Sequence, residues 1–245
     1  MRIAVLADIH GNLAALETVV RDIGRRGVDA TVNLGDSLSG PLLPQETAQF
    51  LMAQDWVHLA GNHERQLLTQ EPSERGPSDD YAHSTLSAEE FAWLARLRPV
   101  AAFSDDLLLC HGTPASDTEY FLETVEQWCV RAATAQEVEC RLGDATAGLV
   151  ACGHTHVARV VRSSAGRLIV NPGSVGLPAY DDIHPVPHVI ETGSPDARYA
   201  IVENRAGVWT VSLISLPYDH TSMAALARQR HRADWERALL SGYMT

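Results

Sequence analysis

The stretch Arg2-Ile3-Ala4-Val5-Leu6-Ala7-Asp8-Ile9-His10 decides how the rest of the chain is read. Its apolar run, 2–7, has the length and composition of a buried strand, and it stops at a carboxylate and an imidazole two residues apart. In a continuing strand that spacing projects both side chains from one face. The next segment, 13–26, sets Leu13, Leu16, Val19, Val20 and Ile23 at helical spacing with charges on the opposite face. The same phrase then recurs. Apolar runs over 28–34, 56–60, 107–110 and 148–152 lead into Gly35-Asp36, Gly61-Asn62-His63, His111-Gly112 and Gly153-His154-Thr155-His156.

Helices are predicted between these strands, over 45–54, 88–97, 118–131 and 135–142. Ser87 with Glu90 and Thr134 with Glu137 have capping-box spacing. Residues 70–80 are polar and rich in Pro, Gly, Ser and Asp, and read as a mobile loop. From 157 onward the runs are shorter and β-like (157–162, 167–170, 199–204, 207–214), and two helical pieces, 221–230 and 233–240, follow. Strands alternating with helices imply an α/β layered fold, and the later β segments a mixed or doubled sheet. Open α/β sheets gather ligands at the carboxyl ends of their strands, so five motifs spread along the chain would converge.

With 245 residues, 45% of them hydrophobic, the chain reads as a single domain over 1–245. Its formal net charge of −12 lacks the basic footprint of a nucleic-acid binder, so no stable nucleic-acid partner is expected. No apolar run approaches the ~20 residues of a membrane span. The first residues do not have the pattern of a signal peptide. The expectation is therefore a cytoplasmic protein without a membrane partner, its four scattered cysteines buried as free thiols.

The polar residues at the strand ends are metal-ligand types: the carboxylates Asp8 and Asp36, the amide Asn62, and the imidazoles His10, His111, His154 and His156. Such mixed N/O donors suit Mn, Fe, Zn, Ni or Co better than Ca. Two divalent ions among two carboxylates leave a net positive cleft in an acidic protein. Paired ions about 3.5–4 Å apart can lower the pKa of a bridging water and stabilise charge on phosphoryl oxygens. His63, beside Asn62, is placed to protonate a leaving alkoxide.

In sequence and order, Asp8-Ile9-His10-Gly11-Asn12, Gly35-Asp36, Gly61-Asn62-His63-Glu64, His111-Gly112 and Gly153-His154-Thr155-His156 resemble the calcineurin-like metallophosphoesterase superfamily, and within it the compact bacterial phosphodiesterase branch. The likeness spans 3–175. It implies a four-layer αββα sandwich with mixed sheets. It also implies two divalent ions, manganese foremost, one held by Asp8, His10, Asp36 and His156 and the other by Asp36, Asn62, His111 and His154. Asp36 would bridge them and His63 would be the catalytic histidine. The activity implied is phosphodiester or phosphomonoester hydrolysis on small phosphoesters or nucleotides. A serine/threonine-type protein phosphatase and a non-catalytic scaffold of the same fold are the alternatives, and a homo-oligomer is compatible with the late β segments.

Two departures stand out. Protein phosphatases of the superfamily continue the second motif with an Asp and an Arg, whereas this chain reads Gly35-Asp36-Ser37-Leu38-Ser39-Gly40. An Asp partner for His63 and an Arg to clamp phosphate are not legible. The stretch 181–193 looks like an inserted loop, and it and the 70–83 loop are expected to border the cleft and set substrate size. Among the remaining polar residues, Asn12 reads as a helix cap and Glu64 and Arg65 as local surface pairs. His58, His83, His184 and His188 read as residues without a role in the site. Ser174, in Asn171-Pro172-Gly173-Ser174, is a loop-shaping residue with an outside claim on substrate, and Arg228, Arg230 and Arg232 read as a solvated or interface face.

Overall fold

A computed structural model describes residues 1–127 and 129–245. In chain order the elements are β1 (Arg2–Leu6), α1 (Leu13–Arg26), β2 (Ala30–Asn33), α2 (Pro44–Met52), β3 (Val57–His58), α3 (Asn62–Thr69), α4 (Pro77–Thr85) and α5 (Ala88–Leu94). There follow β4 (Val100–Ser104), β5 (Leu107–Cys110), β6 (Glu123–Glu126), β7 (Cys129–Ala132), α6 (Ala135–Leu142), β8 (Leu149–Ala151), β9 (Arg159–Arg162) and β10 (Leu168–Asn171). The last elements are β11 (Ala179–Asp182), β12 (His188–Glu191), β13 (Ala197–Arg205), β14 (Val208–Leu216), α7 (His220–Gln229) and α8 (Ala233–Ser241).

Two mixed five-stranded sheets form the middle of the molecule, in the orders β14-β13-β1-β2-β3 and β4-β5-β8-β10-β9. Strand alternation sorts the core. Ile3, Val5 and Ala7 point between the sheets and pack with Leu107, Leu109, Leu149, Ala151 and Val170 of the second sheet. Ala4 and Leu6 point the other way, onto the helix layer that contains Leu16 and Val19 of α1, Leu51 of α2 and Leu94 of α5. Val150 and Ile169 pack outward against Val138 and Leu142 of α6. Helices, sheet, sheet and helix therefore stack as the expected αββα sandwich. The C-terminal pair α7 and α8 buries Met223, Ala227, Trp235 and Leu239 against Leu42, Leu177 and Ala179.

Sequence signals that rest on caps hold in detail. Asn12 Oδ1 accepts the Ala15 N–H at 3.2 Å at the start of α1. The Ser87–Glu90 and Thr134–Glu137 capping boxes are both formed. Two local readings fail. The predicted helix 118–131 is instead the β6–β7 hairpin, residue 128 lying outside the described residues, because Thr124, Val125 and Val130 are β-branched and pair across it. The loop at 70–80 contains the start of α4, which opens with Gly76-Pro77, a Pro at the first helical position. The stretch 181–193 forms most of the β11–β12 hairpin. Of the four cysteines, Cys110 and Cys152 are buried, but Cys129 and Cys140 are exposed; all are free. Among the described residues no helix is long and apolar enough to cross a membrane.

Candidate metal centre

The five motifs meet where the two sheets end. Beyond β1 and β2 the backbones stay zipped together, with Asp8 N donating to Gly35 O (3.0 Å) and His10 N to Asp36 O (3.0 Å). Within the second sheet Gly153 N donates to His111 O (2.6 Å), and Gly176 N to Asp8 O (3.0 Å) stitches that sheet to the first. Ser174 Oγ donates to Asp8 O at 2.7 Å, and Asn171 Nδ2 to Gly153 O at 2.7 Å. Ser174 is thus a buried backbone clamp, and its outside claim on substrate lapses. A Cβ at Gly61 would overlap Asp36 Oδ1 and come within 2.8 Å of His111 Cε1, so only glycine lets this motif sit against the cluster.

The turning residues are themselves strained. Asp8, His10, Asp36, His154 and His156 all have positive φ, between 52° and 69°, a conformation that costs non-glycine residues about 1–2 kcal/mol each. Their shared position at strand ends marks a site that holds its backbone against local preference.

Two groups of side chains come within metal-binding reach of each other: Asp8, His10 and His156, and Asp36, His111 and His154. Each imidazole is oriented by a backbone carbonyl. His10 Nδ1 donates to Ser39 O (2.8 Å), His111 Nδ1 to Leu34 O (2.9 Å), His156 Nδ1 to Leu177 O (2.7 Å) and His154 Nε2 to Thr118 O (3.0 Å). In a neutral ring the opposite nitrogen is then an unprotonated acceptor, the second-layer arrangement common to metal-ligating histidines. These nitrogens crowd against other ligand-type atoms. His10 Nε2 lies 3.1 Å from His156 Nε2, and His111 Nε2 lies 3.0 Å from Asp36 Oδ2 and 3.2 Å from Asn62 Oδ1. Lone pairs confronting one another in a buried site need positive charge between them, and divalent cations with mixed N/O donors fit that requirement.

Glu64 supports the cluster from behind. It is fully buried, so its reading as a surface residue is corrected. Its Oε2 accepts from Asp36 N (2.8 Å) and Gly61 N (2.7 Å), and its Oε1 from Ser37 N (2.8 Å), tying the second and third motifs together. Arg65 forms a two-point pair with Asp117, at 2.6 and 3.0 Å.

His63 is half-buried at the first turn of α3, and its Nδ1 donates to Asp79 Oδ1 at 2.8 Å. Here the structure supplies the acidic partner that the second motif lacks. Burial works against its charged form, yet the carboxylates of Asp36 and Asp79 push the His63 imidazolium up to about 10. Cations held by Asp36 would offset part of that shift. The signal for Asp79 was present as an acidic first turn after Gly76-Pro77.

These residues floor a cleft of about 1060 Å³ whose walls include α4, the β11–β12 hairpin and α8. Arg232 lines it, so its assignment to a solvated face is corrected. His188 is buried, and its Nε2 accepts from Tyr120 Oη at 2.9 Å, while Tyr120 and Tyr180 Oη are 2.6 Å apart. Tyr180 packs edge-on to His156 with ring centroids 4.7 Å apart. His58 packs against Trp56 and Trp93, and His83 against Phe91, outside the site as expected.

An αββα sandwich with two metal-type clusters at its strand ends, beside an Asp-oriented histidine, defines a metal-dependent phosphoester hydrolase. The chain belongs to the calcineurin-like phosphoesterase superfamily, whose domain model matches residues 1–192. It is similar in structure to a metallophosphoesterase from Sphaerobacter thermophilus (25% identity, TM-score 0.77, 99% of each chain covered). The fold also matches a hypothetical protein, PH1004, from Pyrococcus horikoshii (15% identity, TM-score 0.75, 100% and 99% covered). A curated relative, the uncharacterized protein MJ0912 of Methanocaldococcus jannaschii, is 36% identical over 69 residues; the match spans 28% of this chain and 28% of that protein's length.

Proposed function

We propose that the chain acts, as one domain, on small phosphoesters or nucleotides, with two divalent ions at the strand ends, manganese foremost. Asp8, His10 and His156 would hold one and Asn62, His111 and His154 the other, with Asp36 shared. The observation that supports this is the crowding of ligand-type atoms within both groups, His10 Nε2 lying 3.1 Å from His156 Nε2, and His111 Nε2 lying 3.0 Å from Asp36 Oδ2 and 3.2 Å from Asn62 Oδ1. When bound, such ions polarise phosphoryl oxygens and lower the pKa of water.

The chain's own residues supply the rest. His63, held by Asp79 through Nδ1, presents Nε2 to protonate the leaving oxygen. Its own N–H donates to Asp36 Oδ1 at 3.0 Å, which fixes the histidine relative to the cluster. Glu64 keeps the two motif loops in register. The cleft walls surround the part of the substrate that does not react.

The reading is tested by assaying a chromogenic phosphodiester and the matching monoester after chelation and after adding back Mn, Fe, Co, Ni or Zn. Turnover should return with metal and be lost in Asp8→Ala and His63→Ala. Full activity in the metal-free protein would sink the proposal.

A further inference from the structure

The walls of the cleft carry charge of the wrong sign for a polyanion. Seven carboxylate residues line it besides Asp36, against two arginines. Neither arginine is available as an anion clamp. Arg232 gives Nε and NH2 to Asp234 and NH1 to Ser78 Oγ. Arg141 gives NH1 to the carbonyls of Phe121 and Glu123, and NH2 to Thr124 Oγ1.

The negative charge gathers at one end. There Glu123 of β6 and Asp182 of β11 line the cleft beside the paired Tyr120 and Tyr180. Glu123 is 2% exposed; Oε1 is paired with Arg159 at 2.7 Å, while Oε2 is buried without a hydrogen-bond partner among the described residues. Aromatic rings beside Asp182, which has no ion pair among the described residues, and beside the second oxygen of Glu123, whose first is held by Arg159, form an environment that attracts an ammonium group and repels a second phosphate.

Resting on the hydrolase reading above, we infer that the cleft selects a phosphoester whose non-reacting substituent is cationic, an ammonium or quaternary ammonium alcohol, and disfavours nucleoside polyphosphates. The metal-type clusters take the single phosphoryl group, and the Tyr120–Tyr180–Glu123–Asp182 end takes the cation.

Three p-nitrophenyl phosphodiesters of matched size separate the possibilities. The second alcohol is choline, its neutral isostere 3,3-dimethylbutanol, or a carboxyalkyl alcohol. With manganese present, kcat/KM should favour the choline ester over the neutral one by about tenfold, and disfavour the carboxylate by a similar factor. The choline preference should shrink toward one in Glu123→Gln and, independently, in Asp182→Asn at the half-buried hairpin position, and it should weaken with added salt. Equal rates for all three esters in the wild type, or a preference untouched by both substitutions, would overturn the inference while leaving the hydrolase intact. Absence of turnover on every ester with every metal would overturn the hydrolase reading and the inference with it.

Discussion

Asp79, in the first turn of α4, accepts the Nδ1 proton of His63 at 2.8 Å, across the mouth of the cleft. The pair joins α3 to α4, so the His63 ring is oriented by a wall of the cleft, while the loop that carries Asp36 holds its backbone N–H. Asp79→Asn keeps the size and removes the charge. It should lower kcat by about tenfold or more with KM little changed, because the loss falls on proton transfer. Steady-state kinetics on one diester decide this, and an unchanged kcat would show that Asp79 only packs.

Glu64→Gln tests the buried brace. A glutamine oxygen cannot satisfy three backbone N–H groups placed on two sides, so one donor is left without a partner. Stability should fall by about 2 kcal/mol in urea denaturation, with metal binding weakened as the Asp36 and Asn62 loops loosen.

Removing and restoring metal should be visible without any substrate. If cations relieve the confronted imidazoles, wild-type protein at metal concentrations near 100 times Kd gains about 2.7 kcal/mol, an upward shift of several degrees in Tm. His156→Ala should lose most of that gain. A thermal scan with and without manganese measures both.

His58 offers a pH prediction away from the centre. Burial holds its imidazole down to about 4, and its Nε2 lacks a partner among the described residues. The folded value lies below the unfolded one of about 6.5, so the unfolded state binds the proton first. The stability from neutral His58 is whole above about pH 6.5 and declines as pH falls toward 4, by about 2 kcal/mol at pH 5. His58→Phe, packed between the same tryptophans, should flatten that part of the profile in denaturation midpoints taken from pH 7.5 to 5.

Much of this site was legible because its residues sit at strand ends, where an apolar run breaks into a carboxylate or imidazole. All seven metal-type residues come together, and the αββα layering follows from the same punctuation. What was missed depends on contacts distant in sequence. Glu64 looks like an exposed helix residue until the Asp36 and Ser37 amides close over it. Asp79 lay in a segment whose composition suggested a loop, and only its docking against α3 makes it a partner for His63. The β6–β7 hairpin was hidden by acidic residues tolerable in either state, and its pairing decided the outcome. Tyr120, His188 and Tyr180 carry no spacing signal at all, since their hydroxyl network exists only after two hairpins meet.

The pairing of β1 with β13, in which Arg2 lies opposite Glu203, bears on how the protein is made. Asp8 and His10 emerge from the ribosome early, yet the strand that flanks their own is among the last of the described strands to appear. The chain that carries these residues must therefore wait for β13 before its first sheet is complete. During synthesis the nascent protein holds exposed apolar strands and unassembled donor atoms together, a window in which chaperone capture or stray cations would compete with folding.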